Sequence, residues 1–136
     1  MTPQAELYQA LSQDPEILNI VSGDTSKITN SYPDKDMFKS ENVESNFPRI
    51  TFVLEDRRPM FYTDNEPVYD ELQFTVDIWL PTTLLANYTL NAIKLEIDSV
   101  MRGLEYFKVS ESEERMIYNT VSNLSITYSK KFQSNL

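Results

Sequence analysis

Strict alternation of apolar and polar residues marks the middle of the chain. Between residues 71 and 80 the apolar positions recur at every second residue: Leu72, Phe74, Val76, Ile78 and Leu80. The same pattern occurs just before residue 55, at Ile50, Phe52 and Leu54. A period of two is typical of a strand with one buried face. We therefore predict two strands, the second of which ends at Pro81.

Helical spacing marks the segments on either side of these strands. Thr2 before Pro3 and Asp14 before Pro15 each combine a capping residue with a proline at the first helical position, and they predict two short N-terminal helices. After the second strand, apolar residues recur at steps of three and four: Ala86, Leu90, Ile93, Ile97, Val100, Met101 and Leu104. This stripe predicts the longest helix, which Thr82 or Thr83 is expected to cap.

Two further strands are expected in the last third of the chain, at residues 107–109 and 116–128. The predicted fold class is α+β in the order α-α-β-β-α-β-β, within a single domain of residues 1–136. We expect an antiparallel or mixed sheet of about four strands, with the long helix packed on one face. Residues 31–47 lack a sustained period and are predicted to be a mobile loop. Residues 129–136 are predicted to be a polar C-terminal tail.

Composition excludes several classes of chemistry. The chain of 136 residues has no cysteine and no histidine, which removes disulfides, thiolate or imidazole metal sites, and nucleophiles activated by histidine. The N-terminus has neither a basic start nor an apolar run, and no stretch reaches the length of a membrane helix. We expect a cytoplasmic protein that does not bind membranes.

The formal net charge is −9, and the excess of acid belongs to the first half of the chain. Residues 1–80 carry 15 acidic and 6 basic residues, whereas residues 81–136 carry 6 of each. A domain without a basic stripe gains little from the release of counterions that drives phosphate binding. Direct binding of nucleic acid is therefore not expected, although such a domain can surround DNA without holding it.

Acidic residues offer the only candidate chemistry. Three groups could supply oxygen ligands to a cation: Asp34 with Asp36, Asp64 with Glu66, and Glu111 with Glu113 and Glu114. None has the spacing or the glycine of a calcium loop, so solvated acidic loops are the favoured interpretation. Glu71 and Asp77 are the best-placed pair for acid-base catalysis, but strand alternation explains both. We predict no catalytic residue, no metal and no cofactor.

The segment from residue 56 to residue 67 is the strongest candidate for a protein interface. It combines a basic pair with three bulky side chains: Arg57, Arg58, Met60, Phe61 and Tyr62. Either these residues continue the two strands and cover the edge of the core, or they form an arm that docks to another subunit. Trp79 lies beside Asp77 on the outward face of its strand. It is either covered by chain or part of an interface.

Read as a whole, residues 5–132 resemble the tail-terminator or tail-completion proteins of long-tailed bacteriophages, also called head-tail joining proteins. The similarity is one of layout and of short phrases: ELYQALS at residues 6–12, DPE at 14–16, FPRITFV at 47–53 and LQFTVDIW at 72–79. The resemblance implies a homo-oligomeric ring, typically hexameric, that sits on the last ring of the tail tube. Such a ring stops tube growth and presents a surface to the head connector or neck protein.

In that role DNA passes through the ring without specific binding, and the protein belongs to the head-tail interface of the virion after assembly in the host bacterial cytoplasm. Two alternatives stay open. One is another phage neck or head-completion protein. The other is a small cytosolic adaptor that binds one protein through an exposed sheet edge.

Overall fold

The structure is a computed structural model that describes residues 2–63, 66–84 and 89–133, with the backbone alone for 56–63, 66–70 and 132–133. Within these ranges the chain forms four α-helices and a mixed sheet of six strands, which confirms the predicted α+β class. The helices are α1 (Pro3–Gln13), α2 (Pro15–Ile20), α3 (Val43–Asn46) and α4 (Leu90–Gly103). The strands are β1 (Ile28–Thr29), β2 (Arg49–Thr63), β3 (Glu66–Pro81), β4 (Phe107–Glu111), β5 (Arg115–Ile117) and β6 (Val121–Gln133).

A capping residue followed by proline begins both N-terminal helices, as the sequence predicts. Oγ1 of Thr2 accepts a hydrogen bond from the Ala5 N–H at 3.1 Å, and Oδ2 of Asp14 accepts one from the Ile17 N–H at 3.1 Å. These bonds satisfy amide donors that the first turn of a helix leaves unpaired. Helix α1 then packs against α2, α4 and β1.

The sheet has the strand order β1-β2-β3-β6-β4, and β5 also pairs with β6, further along the side that β4 occupies. Strand β1 is parallel to β2, and the other pairs are antiparallel. The sheet is therefore larger than the sequence predicts. Strands β1 and β5 have two and three residues, which is too short for a period of two to be recognised.

A tight turn divides the strand that the sequence predicts at residues 116–128. Tyr118 and Asn119 both have left-handed backbone, with φ of 51° and 60°. The Thr120 N–H donates to the Ile117 carbonyl at 3.1 Å. This is the pattern of a type I′ hairpin turn. Because tyrosine is uncommon in left-handed backbone, the sequence carries only a weak signal for the turn.

Strand β6 extends beyond the predicted end of the last strand. It pairs with β3 from Val121 opposite Pro81 to Gln133 opposite Tyr69. Residues 129–133, predicted as the start of a polar tail, therefore belong to the sheet, and the rest of that tail lies outside the described residues. Serine and two lysines occupy positions 129 to 131, so the apolar alternation stops although the strand continues.

Residues 31–47 contain secondary structure that the sequence does not predict. They include a 3₁₀ turn at Lys35–Phe38 and helix α3. The segment lies on the sheet face opposite α4, and its buried side chains are Phe38, Val43 and Phe47. These anchors are irregularly spaced, so no period reveals them. The segment therefore contains short helical elements, and its mobility stays a prediction.

Helix α4 begins later than the sequence predicts. Thr82 and Thr83, the two expected caps, form a 3₁₀ turn directly after β3. Ala86, the first residue of the predicted stripe, lies outside the described residues. The helix has 14 residues, and its buried side chains are Leu90, Ile93, Ile97 and Met101. None of the helices in the described ranges is long and apolar enough to cross a membrane.

Thr89→Ala is expected to lower the free energy of unfolding by about 1 kcal/mol. Oγ1 of Thr89 accepts a hydrogen bond from the Ala92 N–H at 3.1 Å and so caps α4. Thr83→Ala is the matched control at an exposed position, with an expected change below about 0.5 kcal/mol. Urea unfolding followed by circular dichroism measures both. Equal losses in the two variants would contradict a cap at Thr89.

The main core fills the space between the sheet and helices α1, α2 and α4. We call the sheet face that points to these helices the inner face; it carries Phe74, Val76 and Ile78, which are at most 1% exposed. The opposite, outer face carries Thr75, Asp77 and Trp79. A second apolar group lies there, formed by Phe38, Val43, Phe47, Trp79 and Val121. We call this group the outer cluster.

Candidate functional site

The residues that the sequence singles out lie in two separate places. The five candidates from Arg57 to Tyr62 belong to the part of β2 that leads into the hairpin with β3. Asp77 and Trp79 lie in the other half of β3. Phe61 pairs with Tyr69, which precedes Trp79 by ten residues. At the usual rise of a strand this is a separation of about 30 Å, so the two sets do not form one site.

The connection that the sequence places at a loop tip is itself a β-hairpin. Pairing between β2 and β3 continues out to Thr63 opposite Glu66. Strand β6 pairs with β3 as far as Gln133 opposite Tyr69, and Gln133 is the last residue that the structure describes. We call residues 57–63 and 66–70 the arm. It contains all five candidate interface residues of β2, namely Arg57, Arg58, Met60, Phe61 and Tyr62.

The sequence leaves two alternatives for residues 57–62: they continue the two strands, or they form an arm that docks to another subunit. The strand pairing agrees with the first alternative, because these residues continue the hairpin. Arg57 and Arg58 pair with Leu72 and Glu71, which pair on their other side with Lys130 and Lys131 of β6, so this part of the arm lies in a three-stranded sheet and not in an isolated ribbon. The side chains of residues 57–62 lie outside the described part of the structure. Their role in docking therefore stays a prediction.

Trp79 is covered by the chain itself. Its side chain is 7% exposed, and its Nε1 donates a hydrogen bond to Oγ1 of Thr51 at 2.9 Å. The ring of Phe38 packs edge-on against it, with 5.7 Å between centroids. The sequence allows Trp79 to be covered by the chain or to be part of an interface. In the structure, residues 31–47 cover it. With this segment in place Trp79 offers no surface to a partner.

Asp77 lies in a buried polar group on the outer face. Nδ2 of Asn123 donates to Oδ1 of Asp77 at 3.2 Å and to the Ile78 carbonyl at 3.1 Å. Oδ1 of Asn123 accepts from Nε of Arg115 at 2.9 Å. Asp77 is 1% exposed and Asn123 is fully buried. Oδ2 of Asp77 has no hydrogen-bond partner among the described residues.

Burial raises the pKa of Asp77 above its usual value of 3.8. The side chains of Asn123 and Ser125 and the charge of Arg115 oppose this shift. Ser125 lies opposite Asp77 in the register and close enough to lower its pKa, without the geometry of a hydrogen bond to Oδ2. A carboxyl whose pKa is higher in the folded protein than in the unfolded protein makes its full contribution to stability when the pH lies below the unfolded pKa. That contribution is lost as the pH rises through the folded pKa.

Asp77→Asn is expected to raise the free energy of unfolding at neutral pH by about 1 kcal/mol. The amide oxygen of the new side chain can still accept the hydrogen bond from Asn123, and the buried charge is gone. The new amide N–H can donate a hydrogen bond to the hydroxyl oxygen of Ser125. Because wild-type Asp77 becomes protonated in acid, the difference should shrink as the pH falls toward about 4. Chemical denaturation at several pH values measures this dependence. A variant that is less stable at neutral pH would contradict an uncompensated charge at Asp77.

Glu71 and Asp77 do not form a catalytic pair. Both are buried on the outer face of β3, but Asp77 is the sixth residue after Glu71 along the strand. This spacing corresponds to about 20 Å, whereas two carboxylates that act on one bond lie about 5–10 Å apart. In the described parts of the chain, no group of three acidic residues is placed to hold a metal ion.

Sequence reasoning missed two features of the sheet. Asn123 takes part in every hydrogen bond described above for the polar group around Asp77, and the alternation of β6 puts it on the outer face. Phe107 and Val109 of β4 are 55% and 51% exposed. The sequence predicts their strand, but only the strand order reveals that β4 lies at an edge of the sheet.

Comparison with models of known protein families and with curated proteins finds no match to this chain. Function must therefore be inferred from the residues and geometry above.

Proposed function

We propose that the chain is a structural subunit that docks to other protein subunits through the arm. The observation that supports this proposal is the continuation of the β2–β3 pairing out to Thr63 opposite Glu66, which carries the arm to the far end of the sheet from Trp79. In sequence the arm combines two arginines with Met60, Phe61 and Tyr62. Bulky apolar residues beside arginine are typical of the centres of protein interfaces.

The particular role that we propose is that of a tail terminator at the head-tail junction of a long-tailed bacteriophage. The support is the resemblance of the layout and of the phrases at residues 6–12, 14–16, 47–53 and 72–79. In this role the subunits form a ring, typically of six, on the end of the tail tube. The ring ends tube polymerisation and offers its other surface to the head connector. The protein is then located in the virion, at the head-tail interface.

The charge of the chain agrees with this role. With a net charge of −9, a ring of such subunits carries a surplus of acid. An acidic ring repels the phosphate backbone, so DNA can pass through it without being retained. The separation of Glu71 and Asp77 also favours a structural role over catalysis by paired carboxylates.

A cytosolic adaptor that binds one protein through a sheet edge is the second candidate. The observation that favours it is the exposure of all five residues of β4. An edge strand of this kind can accept a strand from another protein. Such an adaptor has no need to form rings, so its state of association separates the two proposals. Another phage neck or head-completion protein would bind the head connector but leave tail tubes unchanged.

Light scattering of the purified chain, alone and mixed with tail-tube protein of the same phage, tests the proposed function. The expected result is a ring of about six copies, alone or on tubes. Arg57→Glu/Arg58→Glu should abolish tube binding. Lys35→Glu/Lys39→Glu makes the same change in charge at exposed positions outside the arm and should leave tube binding intact. A chain that stays monomeric and does not bind tubes at high concentration would contradict the tail-terminator proposal.

A further inference from the structure

Two edges of the sheet lack a strand neighbour in the described part of the chain. On one side, β1 pairs only with Ile50 and Thr51, so from Phe52 onward no described strand pairs with the edge of β2 that points away from β3. One side chain reaches this edge further along, because the hydroxyl of Tyr32 donates to Oε1 of Glu55 at 3.1 Å. On the other side, β4 ends the strand order. A free edge presents unpaired N–H and C=O groups to any strand that can align with it. One molecule thus carries two edges that can pair with further strands.

An open cleft adjoins the free part of β2. It has a volume of about 510 Å³ and lies between α1, the end of β1 and Phe52. Tyr8 of α1 borders this cleft and is 39% exposed. A strand added beside Phe52 would lie along the cleft, with its inner-face side chains directed toward α1. This edge therefore offers both backbone hydrogen bonds and a surface for side chains.

Strand β4 has the properties of a strand that could occupy this position. All five of its residues are exposed, and Phe107 and Val109 are more than half exposed. Oε1 of Glu111 forms ion pairs with Nζ of Lys108 at 3.2 Å and with Nζ of Lys94 of α4 at 3.4 Å. Both charged residues of β4 therefore have a partner of opposite charge within their own copy.

Strand direction decides how two copies can join. Strands β2, β3, β6 and β4 alternate in direction, so β2 and β4 run antiparallel. If β4 of one copy pairs with β2 of the next in the same sheet plane, the new pair is antiparallel and the inner faces stay on one side. This contact joins two different surfaces. Each copy then has one edge left to bind the next, and such contacts close into a ring when the rotation permits.

Side-chain positions on the two edges are complementary. Phe107 lies opposite Ser129 on the outer face, and in a joined sheet it would approach the half-buried Val53 on the outer face of β2. Lys108 lies opposite Tyr128 on the inner face, so its aliphatic stem would extend into the cleft beside Tyr8. Apolar contact thus accompanies the backbone pairing on both faces.

We propose that β4 of one copy of this chain adds to the free edge of β2 in the next copy, and that the repeated contact builds the ring. The occupant of the β2 edge is thus a second copy of this chain. The inference deepens the proposed function, because it names the surfaces that join the subunits of the terminator ring. It gives the arm a separate task, which is contact with the tail tube.

Two blocked variants of the full chain test the proposal. Phe107→Lys/Val109→Lys places charge on the exposed edge of β4. Tyr8→Glu/Val53→Lys blocks the β2 edge, and Tyr8→Glu alone serves as the milder version because Tyr8 is exposed. Circular dichroism and thermal unfolding establish that each variant folds. Sedimentation velocity, under the conditions in which the wild-type chain forms rings, measures the association.

Each variant alone is expected to be monomeric. An equal mixture should form dimers and nothing larger, because one intact β2 edge and one intact β4 edge make a single contact. If either folded variant alone, or the mixture, formed rings, the proposed contact between β4 and β2 would be wrong. The tail-terminator role would still hold if those rings capped tubes. A wild-type chain that stays monomeric and caps no tubes would overturn both proposals.

Discussion

Asn123→Asp is expected to lower the free energy of unfolding at neutral pH by about 3–5 kcal/mol. Asn123 is fully buried, and its Nδ2 donates to Oδ1 of Asp77 and to the Ile78 carbonyl. Aspartate has no N–H to donate, so both acceptors would lose their partner. The substitution would also place a second carboxylate beside the buried Asp77. A buried group that loses its partner costs its full desolvation penalty, and like charges add to that cost.

The loss should shrink in acid, because one of two adjacent carboxyls then takes up a proton and can donate to the other. The double variant Asp77→Asn/Asn123→Asp is the matched control. It exchanges the amide and the carboxylate, and it places the carboxylate beside Arg115, whose Nε bonds residue 123 at 2.9 Å. Most of the lost stability should return. A double-mutant cycle by chemical denaturation measures the coupling, and strictly additive losses would contradict contact between Asp77 and Asn123.

Trp79→Ala is expected to cost about 3–5 kcal/mol and to release residues 31–47 from the outer face. The truncation removes the edge-on contact with Phe38 and the hydrogen bond from Nε1 to Thr51. It also leaves a cavity beneath the segment. Trp79→Phe is the matched control, because it keeps an aromatic ring and loses the hydrogen bond. Its expected cost is about 1 kcal/mol or somewhat more.

Hydrogen exchange of the backbone amides locates the effect of the Trp79 variants. In Trp79→Ala the amides of residues 35–47 should exchange faster, whereas those of α4 should change little. Local opening of this kind is expected where a segment depends on few apolar anchors. If the exchange of residues 35–47 matched that of the wild type, Trp79 would not be the residue that holds the segment.

Local signals account for the parts of the fold that the sequence predicts. Alternation locates the first part of β2 and the last part of β3, and a cap with proline begins α1 and α2. The start of α4 was missed because Thr82, Thr83 and Thr89 are equally good caps in sequence, and only the backbone selects Thr89. Strands β1 and β5 are too short for a period to emerge. The end of β6 is polar, so its pairing with β3 is the only sign that the strand continues.

The candidate site depended more on long-range contacts. The residue types of the arm suggest an interface, but strand pairing alone reveals that residues 57–62 extend the hairpin. Trp79 and Asp77 face outward by alternation, which is correct. Their burial follows from the packing of residues 31–47, whose anchors have no period. The free edges of β2 and β4 follow from the strand order, which no local pattern contains.

Electron microscopy of tail tubes, polymerised from purified tube protein with and without this chain, is the most direct test of the tail-terminator proposal. The proposal predicts a ring at one end of each tube and a shorter mean tube length as the concentration of the chain rises. Arg57→Glu/Arg58→Glu should remove the ring and restore the length, whereas Lys35→Glu/Lys39→Glu should not. Tubes of unchanged length, with no chain bound at either end at a saturating concentration, would contradict it.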